Sequence, residues 1–188
     1  MNPLFRSGRQ AIVGTLTTAR LQLRPVRGGD LASIIALAGD WQVARMLSDM
    51  PHPLDVSEAS AWLDHKPGDL ALVILLERHV IGAVTAYRDR APPGEPVSAE
   101  LGFWLGRSWW GYGFAREAVS AVIERAFANR QRRYRLDAFT SGHFADNPSS
   151  AKILTGLGFK PAGQTQVWCL ARGVLVPSVT YRLDRPEL

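Results

Sequence analysis

Cysteine is almost absent: Cys169 is the only one among 188 residues. No intrachain disulfide can form, so the chain must be held by its core. A lone thiol suits a reducing compartment, and the cytoplasm is the expected location. Lysine is nearly as scarce, occurring only at Lys66, Lys152 and Lys160, so the formal net charge of +5 is carried by arginine. That balance admits an anionic cofactor, nucleic acid or an acidic membrane without choosing among them. The longest apolar run, Leu70 to Leu76, is too short to cross a bilayer, and no membrane partner is expected. The 4 histidines show no ligand spacing, so no metal is expected. There is no internal repeat, low-complexity tract or interdomain linker. Met1 to Gly14 carries Arg6 and Arg9 without a long apolar run or cleavage pattern. It reads as a loose tail over 1–14, ahead of a single domain over 15–188.

What is present is a clear alternation of element types. Leu21 and Leu23 alternate with polar residues in a first strand closed by Pro25. Asp30 is placed to cap a helix through Leu31, Ile34, Ile35 and Leu37. Trp41 to Met50 reads as a second short helix stopped by Pro51 and Pro53. Asp55 or Ser57 starts a third, with Ala59, Trp62 and Leu63 on its apolar side. Leu70 to Leu76 and Val80 to Tyr87 form a hairpin about Glu77-Arg78-His79, followed by a charged, proline-rich loop over 88–96. Val97 to Leu105 is the next strand, with Leu101, Phe103 and Leu105 on one face and Glu100, Gly102 and Trp104 on the other. From Phe114 the period becomes helical through Ala118, Val119, Val122 and Ala126. Tyr134 to Thr140 reads as a strand, and Asn147-Pro148 as a helix start with Asn at N-cap and Pro at N1. Gly158 ends that helix, and strands follow at about 166–172 and 177–182. The fold class is α/β (α+β): a mixed sheet flanked by helices. The central meander pairs antiparallel, whereas the strand–helix–strand over 98–140 requires a parallel crossover.

The stretch Trp110-Gly111-Tyr112-Gly113-Phe114-Ala115 carries the first chemical signal. Glycines stand where a helix N-terminus begins, and such an end offers converging N–H groups and a favourable dipole to a diphosphate. The dinucleotide fingerprint does not fit, because Arg116 occupies its last glycine position, and the Walker lysine is missing. A tight turn before a core helix is the alternative reading.

Together, the run Glu100-Leu-Gly-Phe-Trp-Leu, the run Trp110-Gly-Tyr-Gly-Phe-Ala-Arg-Glu-Ala118, Asp146-Asn-Pro-Ser-Ser150 and the closing Leu-Gly-Phe159 resemble the GNAT acetyltransferases. With the opening Thr18-Ala19-Arg20-Leu21-Gln22-Leu23-Arg24-Pro25, the likeness spans about residues 15 to 183. It is greatest to the branch of the ribosomal-protein N-terminal acetyltransferases of the Rim type. The resemblance implies a GNAT fold: one mostly antiparallel sheet of about seven strands with a central, splayed parallel pair and about four flanking helices. It implies acetyl-CoA as cofactor, with the coenzyme diphosphate on the backbone of Trp110, Gly111, Tyr112, Gly113, Phe114 and Ala115. Gly113 and Ala115 match the family's Gln/Arg-x-x-Gly-x-Gly/Ala loop, while Trp110 replaces its first residue. Phe103 and Trp104 join the cofactor set, with a backbone N–H near Gly102–Phe103 polarising the thioester carbonyl. Asn147 contacts the pantetheine arm.

Two groups are candidates for proton transfer. Glu100, on the strand before the loop, is positioned as general base for an amine, directly or through water; a solvated or arginine-paired carboxylate is the plain alternative. Ser150, near the place where relatives put a hydroxyl against the departing thiolate, is the candidate acid, because no tyrosine lies between Tyr134 and Tyr181. His143 is a further relay candidate, although an ordinary loop histidine also explains it. Trp41, Met46, Trp62 and Trp104 are candidate walls for the acceptor, or core aromatics and packing groups. The expected reaction moves an acetyl group to a primary amine, on a peptide N-terminus or a small molecule, by direct attack in a ternary complex. The expected assembly is a monomer or homodimer. A noncatalytic acyl-CoA sensor on the same fold is the alternative. A nucleic-acid-binding regulator ranks last, since the chain carries no docking motif for it.

Overall fold

Alternating apolar residues and two hairpin turns set the register of a sheet that runs through the molecule. The computed structural model describes residues 14–60, 69–89, 91–92, 95–129 and 135–187. Residues 1–13 of the expected tail over 1–14, and Trp62, lie outside these residues. The strands are β1 Leu16–Thr17, β2 Gln22–Pro25, β3 Leu70–Leu76, β4 His79–Arg88, β5 Ser98–Leu105, β6 Ala138–Phe144, β7 Lys160–Cys169 and β8 Val174–Asp184. Among the described residues they form one 8-stranded sheet in the order β1-β2-β3-β4-β5-β6-β8-β7. Every neighbouring pair is antiparallel except β5 and β6, which run parallel. The β3–β4 turn is made by Glu77 and Arg78, both at positive φ (48° and 74°), the conformation that matches the twist of a two-residue hairpin.

The helices are α1 Leu31–Ala38, α2 Trp41–Ala44, α3 Val56–Ser60, α4 Phe114–Ala128 and α5 Pro148–Gly156. Helices α1 and α2, with Ala59 of α3, bury one sheet face, where Ile34, Ala38, Val43 and Ala59 pack with Val73, Leu75, Ala83 and Trp104. Helices α4 and α5 bury the other, where Ala118, Val119, Val122 and Leu154 pack with Leu101, Leu105 and Phe139. The alternation along β5 therefore turns Glu100, Gly102 and Trp104 to the α1–α3 side and Leu101, Phe103 and Leu105 to the α4–α5 side. Asn147 caps α5, its side chain accepting from Ser150 N, with Pro148 at N1. Gly158 (φ 90°) closes it, with Phe159 N donating to Leu154 O.

Several expectations shift. The first strand is two pieces, because Thr18 N donates to Leu21 O and Leu21 N to Thr18 Oγ1, which folds the chain between β1 and β2. The helix expected over 41–50 ends at Ala44. Asp30 does not cap α1; its buried carboxylate is taken by Arg24 Nη1 and Nη2 at 2.7 and 2.8 Å and by Arg27 N at 2.8 Å. The strand expected over 134–140 is observed from Ala138 to Phe144, with residue 134 outside the described set. Strand β7 begins at Lys160, and Leu170–Gly173 is the turn rather than its end. Its first seven residues are all exposed, so no alternation marks them in the sequence.

Candidate active site

Strands β5 and β6 share only three register pairs, from Ser98↔Ala138 to Glu100↔Thr140. Beyond them the strands part. Ser141 Oγ crosses the gap to donate to Leu101 O at 2.8 Å, and Trp110 Nε1 donates to Leu105 O at 2.8 Å. Both carbonyls therefore point away from β4, and strand alternation sends the N–H and C=O of Phe103 the same way. A backbone donor is thus presented to the opening between the strands, at Phe103 rather than Gly102. The opening belongs to a cleft of about 1160 Å³ that extends to both sheet faces.

One end of the cleft is the turn before α4. Gly111 and Gly113 hold positive φ of 83° and 79°, and Gly113 is the N-cap of the 15-residue α4. A Cβ would meet nothing within 4 Å at Gly111 and only an arginine nitrogen at 3.6 Å at Gly113, so backbone conformation is what calls for glycine. Among the described residues, no backbone N–H from Gly111 to Arg116 donates to a protein acceptor; the ladder resumes with Glu117 N to Gly113 O. Six consecutive donors at the positive end of a helix make an anion cradle. Arg116 and Lys152 also line the cleft, and Arg116 Nη2 ties α4 to α5 through Gly156 O at 3.0 Å.

The other end is acidic. Glu100 stands opposite Tyr87 in the β4–β5 register, and both line the cleft with Asp49 and Thr85. Burial, then the nearby charges of Asp49 and Asp89, push the Glu100 carboxyl above its ordinary range. Burial likewise raises Asp49, although its own backbone N–H opposes this. Tyr87 is raised by burial and by Asp49, Asp69 and Glu100, against a hydrogen bond with Thr85. These side chains reach water through the cleft mouth yet are surrounded by protein, which explains both their exposure and their shifts.

Ser150, Asn147, His143 and Tyr181 also line the cleft. The Asn147 side-chain oxygen is engaged as the helix cap. His143 Nδ1 lies 2.7 Å from Phe144 O. A carbonyl can only accept, so the neutral ring carries its proton on Nδ1. Its Nε2 then accepts from the Tyr181 hydroxyl in a long contact of 3.4 Å.

Most of the sequence-derived residues thus line one cleft: Glu100, Phe103, Trp104, Trp110, Gly111, Gly113, Phe114, Ala115, Asn147, Ser150 and Met46. The side chains of Tyr112 and Trp41 lie elsewhere. Tyr112 is exposed and stacks on Phe114, with centroids 5.7 Å apart, while Trp41 leans on His52 at 5.3 Å. Sequence reasoning passed over Asp49, Tyr87 and Tyr181. Tyr87 was recoverable from the hairpin register opposite Glu100. Tyr181 was not, because β8 enters the site only through its pairing with Ser141 of β6. Among the described residues there is no group of three or more acidic, histidine or cysteine side chains able to hold a metal, and no helix is long and apolar enough to cross a membrane.

Comparison with known proteins agrees with this architecture. The acetyltransferase (GNAT) domain model matches residues 20–160. The uncharacterized N-acetyltransferase p20 of Bacillus licheniformis is 28% identical over 181 residues, 92% of this chain and 97% of that protein. Ribosomal-protein-S5-alanine acetyltransferase from Vibrio fischeri superposes with a TM-score of 0.75 at 19% identity, over 92% of this chain and 97% of that one. Mycobacterium smegmatis RimJ, solved with a CoA disulfide, gives a TM-score of 0.73 at 20% identity, covering 87% and 81% of the two chains. With a family match over most of its length, the chain belongs to the GNAT family and is an acyltransferase.

Proposed function

We propose that this protein is an acetyl-CoA-dependent N-acetyltransferase acting on a primary amine, on a peptide N-terminus or a small molecule. The observation that carries the reading is the single cleft joining an anion cradle at Gly111–Arg116 to an acidic end at Glu100 and Asp49, through the opening beside Phe103. The residues fit the cofactor: six free N–H groups suit a diphosphate, and the gap between β5 and β6 leaves strand-edge groups free for the amides of a pantetheine arm. Relatives solved with CoA, such as RimJ from Mycobacterium smegmatis, support this choice. Bound acetyl-CoA supplies the acetyl group as a thioester, which the amine attacks as the C–N bond forms and the C–S bond breaks.

The chain's own residues would divide the work as follows. Phe103 N–H donates to the carbonyl oxygen as negative charge develops there. Glu100, ionised, removes the amine proton directly or through water. Asp49 favours a cationic acceptor in the same end of the cleft, walled by Met46 and Trp104. Two hydroxyls of the cleft lining are candidates to meet the leaving sulfur, Ser150 and Tyr181. A phenol, ordinarily near pKa 10, lies close enough to a thiol near 8.5 to return a proton, while an alkyl hydroxyl is a far weaker acid. Tyr181, once its hydroxyl turns from His143 Nε2, is therefore assigned the proton transfer, and Ser150 a hydrogen bond to sulfur. The proposed setting is the cytoplasm, where the buried Cys169 would stay reduced.

The test is calorimetric titration with acetyl-CoA, followed by thiol release with a panel of amines and N-terminal peptides. Absence of acetyl-CoA binding would overturn the reading. Binding without thiol release from any amine would instead favour an acyl-CoA sensor.

A further inference from the structure

One arginine stands behind the anion cradle without itself lining the cleft. Arg20 lies between β1 and β2, about a hundred residues from the turn it meets. Its Nη1 donates to Tyr112 O at 3.0 Å. Its Nε and Nη2 both reach Glu117 Oε2 at 2.7 Å, while its backbone N and the Thr18 hydroxyl take Oε1 at 3.0 and 2.6 Å. The guanidinium lies over the Phe114 ring, 4.5 Å from its centroid.

Two consequences follow from these contacts. A trans peptide points its C=O and N–H in opposite directions. Holding Tyr112 O toward Arg20 therefore turns Gly113 N–H the other way, among the free donors of the cradle. The second consequence is electrostatic. Glu117 is an anion in the first turn of α4, good for the helix dipole but repulsive to an incoming diphosphate. Arg20 cancels that charge where it stands.

We propose that Arg20 is a positioning residue for the cofactor, masking Glu117 and fixing the Tyr112–Gly113 peptide so that the N-terminus of α4 accepts a diphosphate. This rests on the reading of Gly111–Arg116 as the coenzyme diphosphate site. The pair is worth more to binding than to folding, because Arg20 is half exposed and a partly solvated ion pair adds little stability.

The experiment measures calorimetric affinities for CoA and for pantetheine, which lacks the diphosphate, in wild type, Arg20→Gln, Arg20→Lys, Glu117→Gln and the Arg20→Gln/Glu117→Gln double variant. Thermal unfolding without ligand is the control for folding. Wild type should prefer CoA strongly. Arg20→Gln should lose about tenfold or more in CoA affinity and nothing for pantetheine. Glu117→Gln should bind CoA at least as well as wild type. The double variant should recover to within about threefold of wild type, because the unmasked anion is gone. Arg20→Lys, which keeps the charge, should fall between wild type and Arg20→Gln and serves if the glutamine variant fails to fold. Equal wild-type affinity for CoA and pantetheine would overturn the diphosphate reading itself. A strong wild-type preference with Arg20→Gln unchanged, or a double variant no better than Arg20→Gln, would overturn the role of Arg20 alone.

Discussion

Arg172, in the turn after β7, donates to both oxygens of Asp146, Nη1 to Oδ2 at 2.9 Å and Nη2 to Oδ1 at 3.2 Å, immediately before the Asn147 cap of α5. The same guanidinium donates through Nε to Arg45 O at 2.6 Å and lies 5.0 Å from the Phe144 ring. Arg45 also reaches Asp146, at 3.1 Å. The segment after α2, which carries Met46 and Asp49 and is proposed to wall the acceptor, is thereby strapped to the start of α5. Arg172 is well covered and serves both sides, so Arg172→Ala should cost about 2 kcal/mol of stability. Asp146 is more exposed and its ion pairs are screened, so Asp146→Asn should cost no more than about 1 kcal/mol. Both should raise the acceptor KM more than that of acetyl-CoA. Chemical unfolding and steady-state kinetics check this, and an unchanged acceptor KM in both variants would contradict the strap.

Two glycines separate conformational need from space. A Cβ on Gly82 would lie 2.2 Å from Trp104 O and 2.9 Å from Leu105 Cα, a backbone collision between β4 and β5. Gly82→Ala should therefore be severely destabilising, by about 3 kcal/mol or more, comparable to other forced overpacking. Gly113 has room but needs positive φ. Gly113→Ala should cost only about 1–2 kcal/mol in stability. It should still weaken CoA binding by an order of magnitude or so, because the cradle turn relaxes. Differential scanning fluorimetry with and without CoA distinguishes the two outcomes: Gly82→Ala lowers the unliganded Tm most, while Gly113→Ala shrinks the ligand-induced rise.

The glycine turn before α4 was legible in the sequence because glycines just ahead of a helix suit a positive-φ backbone, and α5 was legible because Asn147-Pro148 and Gly158 punctuate it. The parallel β5–β6 pair followed from strand–helix–strand order. Local signals failed where the deciding contact comes from outside the element being read. Asp30 reads as a cap, but Arg24 in β2 claims it. Strand β7 lies at the sheet edge with both faces exposed, so periodicity is silent over its first half. Asp49 sits in an irregular segment whose position is set by Arg172 and Leu170, since Leu170 N donates to Ser48 O. No pattern near Asp49 records that contact.

Asp30 gives a stability prediction with a defined pH sign. The hydrogen bonds from Arg24 above all, and from Arg27 N, outweigh burial and hold its carboxyl below the ordinary range. A depressed folded-state value means stabilisation present above the ordinary aspartate pKa and lost as pH falls through the folded value. Asp30→Asn should remove about 3 kcal/mol at neutral pH, since it leaves Arg24 without its charge partner among covered groups. Urea unfolding across an acid pH series should show the wild-type advantage shrinking toward low pH. A gap that stays constant to strongly acid pH would refute this assignment.

Glu100 should show the opposite linkage and a kinetic signature. Its carboxyl is raised, chiefly by burial and then by Asp49 and Asp89. Between the ordinary glutamate value and the raised one, the folded protein keeps a proton that the unfolded chain releases, so stability from this group falls as pH rises through that window. Glu100→Gln should flatten that slope. As a general base Glu100 works only when ionised, so kcat/KM should rise with pH through the raised value. Glu100→Gln should lower kcat by about two orders of magnitude while leaving CoA affinity unchanged. Asp49→Asn removes the second cause, so the acid limb should move to lower pH without reaching the ordinary value, because burial remains. An acid limb that survives Glu100→Gln would assign the titration to another group, and a limb unmoved by Asp49→Asn would show that the two carboxylates are not coupled through the cleft.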